Sequence, residues 1–590
     1  MKFSKILTIA VVALGATIAL SGCIRETFPK TSTITQEQLE TGIDVDVTLL
    51  KGISRGILAP AYGGWEHTDF GFPSVGVYND QAAQVVVTNG WTLGNAPAYN
   101  RFYMGSWGKG YANNSWMPVH FWYTYYPQIK SCNDVIKMLA GKEESAGSSA
   151  IARTYRANLY LDLARIFECL PMDEADIELQ RGDVAGYNEG YNRVKGLTVP
   201  IVTEDTTEDA AKNNPRATRE ELFKFILNDL SIAEAEFSKD TYRKVSATDP
   251  DLAVVYGLYA RVYLWLGGFN EENTGELNGE LPQGNEAYAL AAEYAQKAIA
   301  EFGGAVMNES EWTNPVTGFN TKASSWMWTL YHSTDTIAGN LHQFSAHMAP
   351  EAAYGYCQFT NPGVGSKAYE RLGDGDFRKK LMVSPDHFTP VWNEELQQDV
   401  NVVDEAKAAA DYAEFAPYTQ ISLEEYMATA PYSFFKFRPA QGNRTDYMTA
   451  GAIAMPVMRC EEMYFIEMEA IAHTQGADVA QMQLLNFMKT YRDPSYACLT
   501  NDIVDEIIFQ KGIEFWGEGL MMFDYKRLDM GVNTSFEGTN YDPNRRFKSE
   551  GRVPWWTYCI PQGEVQMNTA LKGLNNPDPT LTLKNAGSAE

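Results

Sequence analysis

The chain has 590 residues, a formal net charge of −27 at pH 7 and an aromatic content of 13%. This acidity argues against nucleic-acid binding, because phosphate backbones are bound by Lys and Arg side chains. It also argues against attachment to anionic lipid by charge alone. The length accommodates one large domain or several smaller modules.

The first 38 residues predict an exported lipoprotein. Positive charge precedes an apolar run over 6–20, which is too short to span a bilayer comfortably. The run Leu20-Ser21-Gly22-Cys23 follows where a signal peptide is cleaved and is typical of a bacterial lipobox. We therefore expect residues 1–22 to be removed and Cys23 to carry the lipid. The polar residues 23–38 are then a flexible spacer between the anchor and the folded protein.

The remaining six cysteines are widely separated and form no C-x-x-C pair. They are Cys132, Cys169, Cys357, Cys460, Cys498 and Cys559. This spacing argues against a zinc cluster or a disulfide scaffold. Two interpretations stay open for each of them: a buried free thiol, or a member of one or two bridges formed in an oxidising compartment.

A long irregular segment follows the spacer and a predicted helix over 40–58. Gly, Asn, Pro and aromatic residues dominate residues 60–115, and irregular segments of this length in a globular chain are usually functional. Trp and Tyr rings among polar residues are typical of surfaces that stack on sugars or grip peptides. The side chains that we expect to contact a ligand here are Trp65, Trp91, Asn95, Tyr99 and Arg101.

Helical periodicity then returns in pairs. Thr218 and Glu221 have the spacing of a capping box at the start of one of these helices. Residues 303–450 are less regular, and we predict a second group of ligand-contacting rings there, Trp326 and Trp328. The predicted helices are 116–139, 151–170, 218–237, 252–266, 286–302, 456–472, 479–490 and 503–516.

Repeated antiparallel helix pairs of this length predict a mainly α, tetratricopeptide-like scaffold. The long segments between the pairs make a continuous solenoid unfavourable, so we expect them to pack together as a second lobe. Residues 39–590 are then one domain. Its scaffold is expected mainly over 116–302 and 455–528, and its irregular binding lobe mainly over 60–115 and 303–450.

No catalytic, cofactor or metal motif stands out. The chain lacks a G-x-S-x-G elbow, a G-x-x-x-x-G-K-[ST] loop and an H-E-x-x-H helix. His342 and His347 are five apart, which does not place them on one helical face. Asp374-Gly375-Asp376 lacks the remaining ligands of a calcium loop. Carboxylate pairs are numerous, so the sequence singles out no glycosidase pair.

Three runs near the C-terminus carry the most distinctive residues. The first contains Arg459, Glu462 and Glu469 at spacings of three and seven, which places them near one helical face. We expect these residues to make buried caps and ion pairs between helices and to have no catalytic role. The other two runs contain Glu514, Glu518, Gly519, Asp524 and Arg527, and then Ile560-Pro561, Glu564 and Asn568.

Together with the lipobox, these runs resemble the SusD/RagB family of outer-membrane lipoproteins of Bacteroidota. The likeness spans nearly the whole chain after Cys23, since Arg153–Leu170 also resembles that family's long Arg-starting helix. Three positions depart from the family pattern. They are Glu461 in place of Ala, Met521 in place of Arg, and Thr569 in place of Pro.

The resemblance implies a non-catalytic protein of the outer membrane that faces the exterior. It would capture oligosaccharide or polysaccharide and deliver it to a SusC-like TonB-dependent transporter, with no cofactor. The motif residues Arg459, Glu462, Glu469, Glu514, Glu518, Asp524 and Arg527 would be structural. The runner-up is a RagB-like protein that binds peptide, and a glycoside hydrolase is the third alternative.

Overall fold

The computed structural model describes residues 45–60, 69–88, 116–172, 184–269 apart from 240, 241, 243, 245 and 247, 279–541 apart from 338, 396 and 397, and 546–579. The chain divides into two compact units, Met1–Thr48 and Leu49–Glu590. Of the first unit, the described residues are 45–48, which begin a helix. The second unit contains the scaffold and the candidate site.

Most of the described chain is helical. Eight short helices of four to six residues lie in the connections: Glu208–Ala211, Glu309–Trp312, Ser345–Met348, Cys357–Thr360, Ser366–Arg371, Leu423–Ala428, Tyr447–Ala450 and Gln562–Met567. The longer helices are α1 (Val45–Gly56), α2 (Phe72–Ala82), α3 (Trp116–Leu139), α4 (Ala146–Phe167), α5 (Val184–Val194), α6 (Arg219–Phe237), α7 (Leu252–Gly267), α8 (Gly284–Phe302), α9 (Glu405–Phe415), α10 (Cys460–Thr474), α11 (Ala477–Tyr491), α12 (Ile503–Glu514) and α13 (Met521–Leu528).

The scaffold is a succession of packed helices in the order α3, α4, α6, α7, α8, α10, α11, α12. Each helix packs on the next, which gives the expected helix pairs α3/α4, α6/α7 and α11/α12. The capping box at the start of α6 is confirmed, because the Thr218 hydroxyl accepts from the Glu221 amide and the Glu221 carboxylate accepts from the Thr218 amide. The mainly α fold predicted from the sequence is thus confirmed.

The remaining pair, α8/α10, is not local in sequence. Residues 303–459 separate its two helices, yet α8 and α10 are among the most closely packed elements of the described chain. Helix α8 presents a buried row of small side chains, Ala287, Ala291, Ala295 and Ala298, which allows a close approach. The segment 303–459 is therefore an insertion that leaves and re-enters the scaffold within one helix pair.

The described strands form three antiparallel two-stranded sheets. Strand β1 pairs with β3, β2 with β6, and β4 with β5. The β2/β6 ladder joins the insertion to the start of α10. The strands are β1 (Val87–Thr88), β2 (Trp326–Tyr331), β3 (Pro362–Gly363), β4 (Phe388–Asn393), β5 (Gln398–Val403) and β6 (Ala454–Arg459).

The helix predicted over 456–472 begins at Cys460 instead. Residues 454–459 are strand β6, whose partner β2 is more than 120 residues earlier in the chain. Arg459 is therefore the last strand residue and the N-cap of α10, and it does not share a helical face with Glu462 and Glu469. A long-range strand pairing of this kind overrides the local helical pattern.

The six cysteines after Cys23 are all buried and free. Burial raises the pKa of the Cys132 and Cys357 thiols to about 12. Of the two interpretations left open by the sequence, the structure shows buried thiols that pack as small apolar side chains.

Candidate functional site

The two tryptophans predicted as a second group of ligand-contacting rings are part of the core. Trp326 and Trp328 are 0% and 1% exposed. The Trp328 indole donates to the backbone oxygen of Thr248 at 3.0 Å and packs edge-on against Tyr155. The prediction is corrected for both, because they lie on β2, whose first five residues are buried. A ring with no exposed face cannot stack on a ligand.

The other five predicted ligand contacts, Trp65, Trp91, Asn95, Tyr99 and Arg101, lie outside the described residues. The described residues that follow the first segment and those that precede the second both contact residues 347–363. The Phe70 ring stacks on His347, with ring centroids 5.0 Å apart. Strand β1, which precedes the second segment, pairs with β3 at 362–363.

Between these two anchor points lies a loop with three partly exposed rings. We call Tyr354–Phe359, which ends within the short helix Cys357–Thr360, the aromatic loop. Phe359 is 51% exposed, and Tyr354 and Tyr356 are half-buried. The Tyr356 ring lies 5.3 Å from His347, the residue on which Phe70 stacks. The aromatic loop therefore borders the ends of the two segments in which the sequence predicts ligand contacts.

The backbone of the aromatic loop is tightly constrained. Gly355 has a φ of +81°, and a Cβ there would lie 2.6 Å from the backbone oxygen of Ala346. Only glycine fits such a conformation and approach at little cost. The Ala353 amide donates to the backbone oxygen of Arg444 at 2.7 Å, and the Arg444 guanidinium donates to the backbone oxygen of Glu351 at 2.7 Å. The rings thus stand on a rigid support.

The chemistry of the aromatic loop suits a flat, uncharged ligand surface. Aromatic faces attract C–H groups, and tyrosine hydroxyls add directional hydrogen bonds. The Tyr354 hydroxyl donates to the Gln343 side chain at 3.4 Å, which holds its ring in place. Its ring also lies edge-on to Tyr447, with centroids 6.5 Å apart.

The insertion and the scaffold share a buried network of four cations and four carboxylates. Its centre is Glu514, whose carboxylate contacts Arg459 at 3.0 Å, Arg492 at 2.8 Å and Arg378 at 3.2 Å. Burial opposes ionisation of Glu514, but the charges of Arg492, Arg459 and Arg378 outweigh it and hold its pKa well below its usual range. The other members are Lys436, Asp376, Glu461 and Glu518.

The network connects the insertion to the scaffold. Arg378 and Lys436 belong to the insertion, whereas Glu514 ends α12 and Glu518 follows it. The Lys436 ammonium also donates to the backbone oxygens of Glu514 and Trp516, both at 2.9 Å. Burial lowers the pKa of Lys436 to about 8, although the Glu518 carboxylate acts against this shift.

The remaining motif residues make two further buried contacts between helices. Glu462 accepts two hydrogen bonds from Arg261 of α7, both at 2.7 Å. Arg527 of α13 contacts Glu469 of α10 at 2.5 Å and Asp524 at 2.7 Å. The Arg261–Glu462 and Arg527–Glu469 pairs each fix the position of one helix against another.

No sequence pattern identifies several members of these networks. Asp376, Arg378, Lys436 and Arg492 lie in irregular stretches or at a helix end, where no spacing identifies them. The run Tyr354-Gly355-Tyr356, followed by Phe359, could have indicated the aromatic loop, because glycine flanked by aromatic residues in an irregular stretch is unlike a core pattern.

Among the described residues, no helix combines the length and apolarity needed to cross a membrane. Within the same ranges, no cluster of three or more His, Cys, Asp or Glu side chains is arranged to hold a metal ion.

Two family models match the chain. One, described as starch-binding and associating with the outer membrane, matches residues 82–264. The other, described as the SusD family, matches residues 387–578. The two matches include α3 to α6 and most of α7, the later part of the insertion and all three C-terminal motif runs. No curated protein matches the chain.

Solved structures share the fold at low sequence identity. A SusD-like carbohydrate-binding protein from Bacteroides vulgatus is 19% identical with a TM-score of 0.61, over 90% of this chain and 97% of that one. A SusD superfamily protein from Bacteroides thetaiotaomicron is 18% identical with a TM-score of 0.62, over 90% and 99%. A surface glycan-binding protein A from B. thetaiotaomicron, in complex with laminarihexaose, is 15% identical with a TM-score of 0.55, over 90% and 99%.

Proposed function

Because the chain belongs to the SusD family, we propose that it is a cell-surface lipoprotein that captures oligosaccharide or polysaccharide. It then delivers the glycan to a SusC-like TonB-dependent transporter of the outer membrane. The observation that carries this proposal is the match of two related family models, one of them described as starch-binding, to residues 82–264 and 387–578. The laminarihexaose complex of a protein with this fold supports the same ligand class.

The binding surface in this proposal combines the aromatic loop with the predicted contacts Trp65, Trp91, Asn95, Tyr99 and Arg101. Partly exposed rings on a constrained backbone are suited to stacking on the C–H faces of sugars. Rings held in place before binding lose little conformational entropy when the ligand arrives.

Capture without bond cleavage is supported by the state of the motif carboxylates. Glu514, Glu518, Glu462 and Glu469 are buried, and each is paired with a cation. A glycosidase needs one carboxylic acid that is protonated and close to the scissile bond. Carboxylates that are buried in the core and paired with arginines do not lie where a scissile bond can reach them.

The anchor in this proposal is Cys23, which lies outside the described residues. In this proposal a lipid on Cys23 and the polar spacer over 23–38 tether the folded protein to the outer membrane, and the family resemblance implies that it lies on the exterior face, next to its transporter. Labelling cells with an alkyne analogue of palmitate should tag the wild-type protein and leave Cys23→Ser untagged. Equal labelling of the two proteins would contradict lipidation at Cys23.

The ligand class is tested by calorimetry and affinity electrophoresis of the purified protein against plant, host and microbial glycans, with peptide pools alongside. Binding of a glycan, with no new reducing ends after long incubation, is the expected result. Binding of peptides alone would favour the peptide-uptake alternative. Release of reducing ends that stops when one carboxylate is substituted would show a hydrolase.

The position of the site is tested with Phe359→Ala and Tyr356→Ala. Loss of one stacking ring weakens binding about tenfold, equivalent to roughly 1.4 kcal/mol. Leu499→Ala is the matched control, because Leu499 is a large apolar side chain that is 92% exposed. Unchanged affinity of both aromatic variants for the identified glycan would remove the aromatic loop from the site.

A further inference from the structure

A second surface of the insertion has the shape of a binding site. The helices Ser366–Arg371 and α9, together with the turn at 377–381, enclose an open cleft of about 490 Å³. This volume lies in the range of small-ligand sites and is suited to a di- or trisaccharide. We call it the tyrosine cleft, because Tyr369, Tyr418 and Tyr426 line it.

The Tyr418 wall of the cleft is held by a buried ion pair. The backbone oxygen of Tyr418 accepts from the Arg438 guanidinium at 2.7 Å. Arg438 and Glu351 are both fully buried and lie 2.8 Å apart. The same Glu351 carboxylate accepts from the Thr419 hydroxyl at 2.7 Å and from the Gln420 amide at 2.9 Å. The Tyr418 backbone is thus fixed by groups that never reach solvent.

The opposite wall is also held in place. The Ser384 amide donates to the Tyr426 hydroxyl at 3.4 Å. The Lys379 ammonium lies 4.7 Å from the centroid of the Tyr369 ring. Both walls therefore present polar atoms beside an aromatic surface.

The charges in the cleft decide which ligand fits it. Both lining lysines are already paired: Lys379 lies 2.8 Å from Asp374, and Lys380 lies 3.3 Å from Glu309. Two further lining carboxylates, Asp386 and Glu414, are exposed and have no cationic partner among the described residues. The cleft thus offers hydrogen-bond acceptors and a negative potential, which favours a donor-rich ligand and repels an anionic one.

We propose that the tyrosine cleft is a second carbohydrate site that takes neutral sugars and excludes acidic ones. Sugar hydroxyls donate to Asp386 and Glu414, the Tyr418 ring packs on the sugar, and the Lys380 ammonium donates to a ring or hydroxyl oxygen. This site rests on the proposed function, since it adds a second contact to the same glycan chain. Two contacts on one polymer raise its avidity beyond that of either site alone.

Met382 lines the cleft and supplies a local reporter. The whole protein, labelled with methyl-¹³C methionine, is titrated with maltohexaose, laminarihexaose and hexagalacturonic acid. The Met382 resonance is identified with Met382→Leu. We expect it to shift with at least one neutral hexasaccharide and not with hexagalacturonic acid. Tyr418→Ala should weaken the binding that this resonance reports about tenfold.

The matched control is Tyr123→Ala, which removes a tyrosine ring of α3 that is 39% exposed and should leave the Met382 shift unchanged. An unmoved Met382 resonance, while calorimetry shows that a neutral hexasaccharide binds, overturns the second site and leaves the proposed function standing. An equal shift with hexagalacturonic acid overturns the assignment to neutral sugars. No binding of any glycan by calorimetry overturns both proposals.

Discussion

The carboxylate of Asp80 accepts a hydrogen bond from the backbone amide of Gly519 at 2.9 Å. The Met521 amide contributes another at 3.3 Å, so helix α2 is attached to the turn that follows the Glu514 motif. Asp80 is fully buried. The Gly519 and Met521 donors to this carboxylate are uncharged backbone amides.

Asp80→Asn should change how stability depends on pH. Burial raises the pKa of Asp80 from 3.8 to about 7, although the Gly519 and Met521 amides act in the opposite direction. The folded protein therefore binds this proton more tightly than the unfolded chain does. The resulting stabilisation is complete below pH 3.8 and is lost as the pH rises through about 7. The asparagine of the variant does not titrate, so the variant does not lose this stabilisation. Between pH 3.8 and about 7, the free energy of unfolding of the wild type should therefore fall relative to that of the variant by about 4 kcal/mol.

Urea denaturation at a series of pH values between 4 and 8 measures this difference. Asp209→Asn, at an exposed position on a short helix, should follow the wild-type profile throughout. Parallel profiles of Asp80→Asn and the wild type would show that Asp80 does not titrate in this range.

Glu514→Gln should destabilise the protein strongly. The substitution leaves three buried arginines without their shared carboxylate, and breaking a buried pair in this way costs about 3–5 kcal/mol. Asp505→Asn is the control, since its pair with Arg371 is partly exposed and such pairs contribute about 0–1 kcal/mol. Denaturation midpoints that fall equally in both variants would contradict a central role for Glu514.

The stability difference between the wild type and Glu514→Gln should depend on pH only in acid. The folded-state pKa of Glu514 lies below its unfolded value, so its contribution is present above that unfolded value and is lost as the pH falls through the folded one. We expect the stability gap between wild type and Glu514→Gln to narrow only in strong acid, as followed by circular dichroism.

Trp328→Phe should lower the free energy of unfolding by about 1–2 kcal/mol, because it removes the hydrogen bond to Thr248 and part of a buried ring. Trp392→Phe is the matched control, since Trp392 is 52% exposed on β4 and surface changes stay within about 0.5 kcal/mol. Equal shifts of the denaturation midpoint in Trp392→Phe and Trp328→Phe would contradict the burial of Trp328.

Gly519→Ala should cost about 3 kcal/mol or more. Gly519 has a φ of +84°, and its added Cβ would lie 2.3 Å from Cα of Gly76 in α2, so both backbone strain and a clash between main chains oppose it. Gly573→Ala separates the two effects, because its φ is +78° and nothing lies within 4 Å of the added Cβ. There the strain alone should cost about 1–2 kcal/mol, and equal midpoints for the two variants would rule out the clash.

The helix pairs could be predicted from the sequence because their determinants are local. The Thr218 and Glu221 side chains that begin α6 are three residues apart, and the apolar spacing of each helix is visible within one window. By contrast, nothing local predicts that 454–459 pair with 326–331. That pairing explains two differences from the sequence-based predictions. Residues 456–459 are strand where the local pattern predicts helix, and Trp326 and Trp328 are core residues where the sequence predicts surface rings.

The candidate site was less predictable for a related reason. Partial exposure of Tyr354, Tyr356 and Phe359 results from a glycine with positive φ and from hydrogen bonds to Arg444, which lies about 90 residues later in the chain. The Tyr418 wall likewise depends on Arg438 and Glu351, which come from separate parts of the insertion. Composition indicates that such a lobe carries aromatic rings, but long-range contacts decide which rings stay accessible.

The split helix pair α8/α10 has a consequence for how the protein unfolds. In ordinary helical arrays each repeat contacts only its neighbours, so the array can melt from one end, repeat by repeat. Here the two halves of one repeat hold the whole of 303–459 between them. Separating α8 from α10 would also pull apart the β2/β6 ladder and strain the Arg378 and Lys436 contacts to the end of α12. The helical array should therefore unfold cooperatively, as one unit, and not repeat by repeat.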